Sequence, residues 1–170
     1  MNIPDSITNI IEPFAGNGDL VEFIEKNRSD CNVECYDIDP KKDYITKRDT
    51  LKNPPNYKDK YVITNPPYLA RNKSKDKKIF DKYDVNDLFK CFIKELITNV
   101  CLGGIIIIPL NFWSSIRQIE LVEKFNKFLD ERRKKYNSLF LTNYRESKDI
   151  ARKRISFDLV YLIVGYLLEN

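Results

Sequence analysis

The sequence predicts an α/β domain built on a doubly wound, mainly parallel sheet with an antiparallel edge strand. Three observations carry that expectation. Ile105-Ile106-Ile107-Ile108 is an uninterrupted β-branched run, the pattern of a parallel strand covered on both faces. Short apolar runs alternate along the chain with segments of helical period, as in successive β-α units. Two strand-like segments close the chain with no helix between them, which implies an antiparallel partner at one edge.

Taken in order, Ile7 to Pro13 reads as a short buried strand, and Phe14-Ala15-Gly16-Asn17-Gly18 as a glycine-bearing turn. Asp19 is expected to cap a helix over Leu20 to Asn27 that turns Leu20, Phe23 and Ile24 to one side. Asn32 to Tyr36 is a second strand, stopping at Asp37-Ile38-Asp39-Pro40, where the proline ends it. A polar stretch leads to Asp49, and Asn53-Pro54-Pro55-Asn56 is a loop before a strand at Tyr61 to Thr64. Leu88, Phe89, Phe92, Ile93, Leu96, Ile97 and Val100 recur at helical period within Val85 to Cys101, and Gly103-Gly104 breaks that helix. After the isoleucine run, Ser114 or Ser115 starts another helix, whose apolar side carries Ile116, Ile119, Leu121, Val122, Phe125, Phe128 and Leu129. The last two strands fall at about Leu139 to Asn143 and Phe157 to Leu167.

The chain of 170 residues reads as one domain, 1–170, with no internal repeat or linker. Its 42% hydrophobic and 32% charged residues are those of a globular protein and exclude the disordered class. No apolar run approaches the roughly 18 residues of a membrane span, and the N-terminus lacks a signal-peptide pattern. No membrane association and a cytoplasmic location are therefore expected. Cys31, Cys35, Cys91 and Cys101 match no zinc or redox spacing and are expected to be buried free thiols. The chain has no histidine, which removes imidazole bases, serine-histidine triads and histidine-ligated metals from consideration. No metal is expected.

The most informative tetrapeptide is Asn65-Pro66-Pro67-Tyr68, directly after the apolar run Tyr61 to Thr64. Standing alone it also describes an ordinary turn after a buried strand. Its chemistry suits methylation of a planar amino nitrogen, whose lone pair is delocalised and must be localised by acceptors aimed at the amino hydrogens. The Asn65 side-chain oxygen and the Pro66 carbonyl supply two such acceptors, the prolines remove competing donors, and Tyr68 offers a face for a base. Basic residues follow at once: Arg71, Lys73, Lys75, Lys77 and Lys78 stand against one acid, Asp76, in a protein of net charge +4. Such a run is a solvated face or a phosphate-contacting one.

Ligands of open parallel sheets sit beyond the carboxyl ends of the strands. Glu12 with the glycine turn, Asp37, Asp49 and Asn65 all fall at such ends in this reading. Gly16 and Gly18 let backbone approach a ligand with their N–H groups facing it, and Asp37 lies about 20 residues after the turn, where a carboxylate accepts both hydroxyls of a ribose. A dinucleotide site is disfavoured because Val21 replaces the third glycine of that fingerprint.

These segments resemble the S-adenosylmethionine-dependent N6-adenine DNA methyltransferases. Glu12-Pro13-Phe14-Ala15-Gly16-Asn17-Gly18-Asp19-Leu20 looks like their first motif, Tyr36-Asp37-Ile38-Asp39-Pro40 like the second and Asn65-Pro66-Pro67-Tyr68 like the catalytic fourth. The order, cofactor motif first with no recognition insert, is similar to the gamma arrangement. The string through Leu69-Ala70-Arg71-Asn72-Lys73 and Asp87-Leu88 looks like the type II restriction-modification members. The resemblance implies a class I, Rossmann-like methyltransferase domain that transfers a methyl group to adenine N6 in double-stranded DNA with the base flipped. It also implies that Glu12, Phe14, Ala15 and Gly16 line the methionine end of S-adenosylmethionine, that Asp37 holds the ribose and Asp49 the cofactor adenine, and that Gly18 and Ile38 belong to the cofactor site. Asn65, Pro66 and Tyr68 would act on the target base, and Arg71, Lys73, Lys75, Lys77 and Lys78 on nucleic-acid phosphates. Tyr144 or Phe157 would complete the base sandwich. The family pattern adds a cofactor-binding segment before the first strand, where about eight residues stand here, and a target-recognition domain after the catalytic one. Recognition is therefore expected from a separate domain or subunit. Three alternatives use the same residues: methyl transfer to RNA adenine, methyl transfer to a protein glutamine amide, and an inactive nucleic-acid- or partner-binding remnant of the fold.

Overall fold

The computed structural model describes residues 3, 5–99, 101–109, 112–113, 118–136, 140–141 and 160–164. Strand β1 (Asn9–Glu12) leads into helix α1 (Asp19–Asn27), followed by β2 (Asn32–Asp37), β3 (Thr46–Lys47) and β4 (Tyr61–Thr64). A 3-10 turn at Arg71–Lys73 precedes α2 (Lys78–Tyr83) and α3 (Leu88–Thr98), and β5 (Gly103–Ile108) precedes α4 (Ile119–Tyr136). Of the two expected C-terminal strands, the described residues carry β6 (Phe140–Leu141) and β7 (Val160–Val164). The helix start expected at Ser114 or Ser115 lies outside the described residues.

Strands β1 to β5 are all parallel, in the order β3-β2-β1-β4-β5. The fold is α/β. Sequence order reverses between β1 and β4: the chain leaves β1 toward β2 and β3, then returns to the other side of β1. The carboxyl ends of strands on either side of such a reversal diverge and open a crevice. The isoleucine run behaves as its pattern predicts, because Ile105 packs into one apolar cluster with Ile10, Tyr61, Ile63 and Ile24 of α1, while Ile106 and Ile108 pack into another with Val62, Phe80, Phe92 and Phe125. Helices therefore cover both faces, α1 on one and α2, α3 and α4 on the other.

Several local expectations change. Asp19 is the first helical residue of α1 rather than its cap: Gly18 holds the cap position in the left-handed region at φ 91°, with no side-chain capping bond. The buried side of α1 is Val21 and Ile24, one turn apart, while Phe23, two positions from Val21, points to solvent at 43% exposure. The helix expected from Val85 to Cys101 is confined to Leu88–Thr98. Asp84 adopts a left-handed conformation that ends α2, Asp87 is extended and bridges to Ala70, and the turn back to β5 begins at Asn99. Gly103 and Gly104 belong to β5 itself. All four cysteines are free, with Cys31 partly exposed and the other three buried. No described helix is long and apolar enough to cross a membrane.

Candidate functional site

A cavity of about 400 Å³ lies at the reversal between β1 and β4. Phe14, Asp37, Ile38, Asp49 and Asn65 all line it, so strand-end residues separated by as many as 51 positions in sequence share one wall. Its size falls within the roughly 300–1,000 Å³ range of small-molecule sites. Phe14 is set by an edge-on contact with Phe92 of α3, centroids 5.0 Å apart. Ile38 projects at 62% exposure, an apolar surface at the mouth of a polar-edged cleft. Asp49 accepts the Lys52 N–H at 3.1 Å.

The glycine corner is closed on itself. Gly16, at φ 55°, donates its N–H to Asp37 Oδ2 at 2.8 Å, and Gly18 donates to the Ala15 carbonyl at 2.8 Å. Ala15 in turn donates to Tyr36. The expectation that the glycine N–H groups face a ligand is corrected accordingly: the left-handed φ values fold the turn so that these donors are satisfied internally. The two glycines differ in what a side chain would meet. A Cβ on Gly16 would enter open space, whereas one on Gly18 would lie 2.2 Å from the Tyr44 hydroxyl. Asp37 Oδ1 also accepts the Asp39 N–H at 2.8 Å. Both carboxylate oxygens are thus pinned, yet each retains a lone pair for a further donor.

Glu12 does not line the cavity; it is fully buried beneath it. Its Oε1 accepts the Phe14 N–H at 3.0 Å and the Thr64 hydroxyl, while Oε2 has no hydrogen-bond partner. Burial pushes its pKa up to about 8; the two hydrogen bonds oppose that shift and the nearby Asp37 charge adds to it. Ala15, Gly18 and Pro66 are also buried and outside the cavity lining, and the half-buried Gly16 and exposed Tyr68 lie outside it too.

Asn65 is exposed, and the Tyr68 hydroxyl lies 2.7 Å from its Oδ1 and 2.6 Å from the Ile107 carbonyl at the end of β5. A phenol has one proton and donates to one acceptor at a time. The Tyr68 ring is 41% exposed and rests edge-on against Phe89, with centroids 5.8 Å apart. Burial of the hydroxyl end, helped by Asp87, pushes its pKa up to about 12, so it stays a neutral donor.

The basic segment forms the rim. Leu69, Ser74, Asp76 and Ile79 contribute to the cavity wall. Lys73, Lys75, Lys77 and Lys78 are exposed and form no ion pair among the described residues, whereas Arg71 is held 2.7 Å from Asp81. Lys52 lies 3.5 Å from Asp49 and 3.7 Å from Asp76, across the mouth. Sequence reading missed Lys52, Asp76 and Leu51 as wall residues. No spacing rule links a turn at 49–52 to one at 74–79; only the fold does. Tyr144 and Phe157 lie outside the described residues. Models of known protein families give no match to the chain, and no curated protein matches it.

Proposed function

We propose that this cleft binds S-adenosylmethionine and transfers its methyl group to the N6 amino group of adenine in DNA. The observation that carries the reading is Asn65 on the wall of the same cavity as Phe14, Asp37, Ile38 and Asp49. The residues present suit the cofactor. Asp37 has acceptor capacity left for a ribose, Ile38 gives an apolar surface for an adenine, a side chain on Gly16 would enter open space, and Glu12, whose Oε1 holds the Phe14 N–H of the corner, keeps a buried Oε2 without a partner. When bound, S-adenosylmethionine supplies an electrophilic methyl group on a sulfonium.

Asn65 and the Pro66 carbonyl accept the two amino hydrogens of the target base and localise its lone pair for in-line attack. Tyr68 stacks against the flipped base, at an extrusion cost of a few kcal/mol. In this reading the Tyr68 proton goes to the Ile107 carbonyl and the Asn65 amide turns over, so that its nitrogen donates to the phenol oxygen in place of the Oδ1 contact and its own oxygen faces the cleft. The spent proton leaves to water, and no strong general base is needed. Orientation and preformed acceptors do the catalytic work. Lys73, Lys75, Lys77 and Lys78 meet phosphates at the rim, and a separate domain or subunit reads the sequence. The finer topology belongs to this reading: β7 runs antiparallel to β5, with Gly104 opposite Val164 and Ile108 opposite Val160, completing a class I methyltransferase sheet. The working place is the cytoplasm, wherever the DNA lies.

The test is mass detection of N6-methyladenine in digested duplex DNA after incubation with protein and cofactor, with RNA and protein acceptors in parallel. Asn65→Ala is expected to lower transfer by about 100-fold or more while cofactor affinity stays within about threefold. Undiminished transfer by the variant overturns the catalytic assignment. Methyl transfer only to RNA or to protein moves the acceptor to one of those classes. Binding of nucleic acid with no affinity for the cofactor makes the domain a binding remnant.

A further inference from the structure

We propose that Thr64 and Glu12 are a positioning pair that locks the acceptor turn at Asn65 to the donor corner at Phe14, a proposal that rests on the methyl-transfer reading of the cleft. The backbone ladder between β1 and β4 pairs Ile10 with Tyr61 and Ile11 with Val62, and goes no further. Ile63 and Thr64 pair onward only to β5, opposite Ile105 and Ile106. The two turns that must face each other thus leave the sheet from strands whose mutual pairing has already ended. Their relative position is set by what bridges the gap.

One oxygen does so. Glu12 Oε1 accepts the N–H of Phe14, the first wall residue of the corner, and the hydroxyl of Thr64, the residue before Asn65. Both side chains are fully buried, so water does not compete for these bonds. A second anchor holds the same corner from the other side, where the buried Thr50 hydroxyl donates to the Pro13 carbonyl at 3.0 Å. The choice of an acid is informative. Two strands are held together more cheaply by apolar side chains than by a buried carboxyl, and a glutamine would keep the same acceptor without the ionisable group. The structure retains the acid, with its other oxygen buried and unpartnered. Asp37 is the neighbouring charge that acts on this carboxyl.

Thr64→Val keeps the side-chain volume and removes the hydroxyl, Thr64→Ser keeps the hydroxyl, and Glu12→Gln keeps the acceptor. With thermal unfolding confirming a folded chain, T64V is expected to bind cofactor within about threefold of wild type and to transfer methyl about 10- to 100-fold more slowly at saturating substrates, with T64S restoring the rate to within about threefold. Equal transfer by T64V and wild type overturns the proposal, as does an equal loss in T64S. A second readout does not depend on activity. In T64V the backbone amide resonance of Phe14 and the side-chain amide resonances of Asn65 are expected to shift together, and the Glu12 carboxyl to titrate above its wild-type midpoint, because a stabilising bond to the ionised form is gone. E12Q should leave both amides near their wild-type positions. Should wild type transfer no methyl at all, the enzymatic reading fails while the resonances still judge the pair. Should T64V not fold, Thr64→Ala serves in the same measurements. A Phe14 or Asn65 signal that ignores the loss of the hydroxyl overturns the pair in every case.

Discussion

Glu12 is the residue at which stability and chemistry pull apart. Its carboxyl ordinarily ionises near 4.5, and burial raises that to about 8. Between those values the unfolded chain gives up its proton while the folded chain keeps it. The folded state binds more protons, so its stability falls as pH rises through this window and the favourable contribution is complete only below about 4.5. Glu12→Gln removes the linkage. The variant is expected to gain on wild type as pH increases from 5 to 8, by up to about 1.4 kcal/mol per pH unit, in urea melts at three pH values. A difference that stays flat with pH would mean that the carboxyl ionises normally in the folded chain. Asn65, Asp37 and Asp49 were legible as candidates from sequence alone, because each ends a local pattern. The role of Thr64 was not: a threonine closing an apolar strand looks like any β-branched residue until the neighbouring strand supplies Glu12.

At the scale of elements, the sheet is governed by how closely β4 and β5 approach. Gly104 sits opposite Val62, and a Cβ added there would lie 2.2 Å from the Val62 carbonyl oxygen and 3.0 Å from its carbonyl carbon. Backbone in the middle of a parallel ladder cannot move aside as a flexible side chain can. Gly104→Ala is expected to destabilise the fold by about 3 kcal/mol, read as a lower denaturation midpoint at unchanged slope. Stability equal to wild type would show that the two strands have room between them. The same elements show why some of the architecture was readable. Strands β1, β4 and β5 announce themselves by apolar composition, α1 and α3 by period, and the mixed β2, Asn-Val-Glu-Cys-Tyr-Asp, by the stop at Pro40 that follows it. Strand β3 is only Thr46 and Lys47, both exposed, and α2 is six residues inside a lysine-rich run. Neither carries enough apolar residues to set a period. Their places come from backbone bonds such as Arg48 N–H to the Asp37 carbonyl, 2.8 Å, which carries β3 along β2, and Val85 N–H to that of Phe80, 3.1 Å, which closes the end of α2.

At the scale of the whole molecule, charge and cavity are arranged on one side. The exposed lysines 73, 75, 77 and 78 rise from the segment that also walls the cleft through Ser74, Asp76 and Ile79. The excess of +4 over the full chain is small, so long-range attraction alone would bind a polyanion weakly; the placement of these four charges decides where it binds. Arg71 is already spent on Asp81 and Lys52 on Asp49 and Asp76, which leaves the four lysines as the cations of the 71–78 segment without an ion pair among the described residues. Each phosphate contact releases counterions and adds about 0.9 to the slope of log affinity against log salt. Replacing all four by glutamine is therefore expected to weaken duplex DNA binding strongly at low salt and to reduce that slope by about 3 to 4, while cofactor affinity measured without DNA is unchanged. A fluorescence-anisotropy titration over a series of salt concentrations separates the outcomes. A slope reduced in proportion to the charges removed places the phosphate backbone along this rim, beside Asn65. An unchanged slope would put the polyanion on another face, away from the cleft, and would leave Asn65 without a nucleic-acid substrate to act upon.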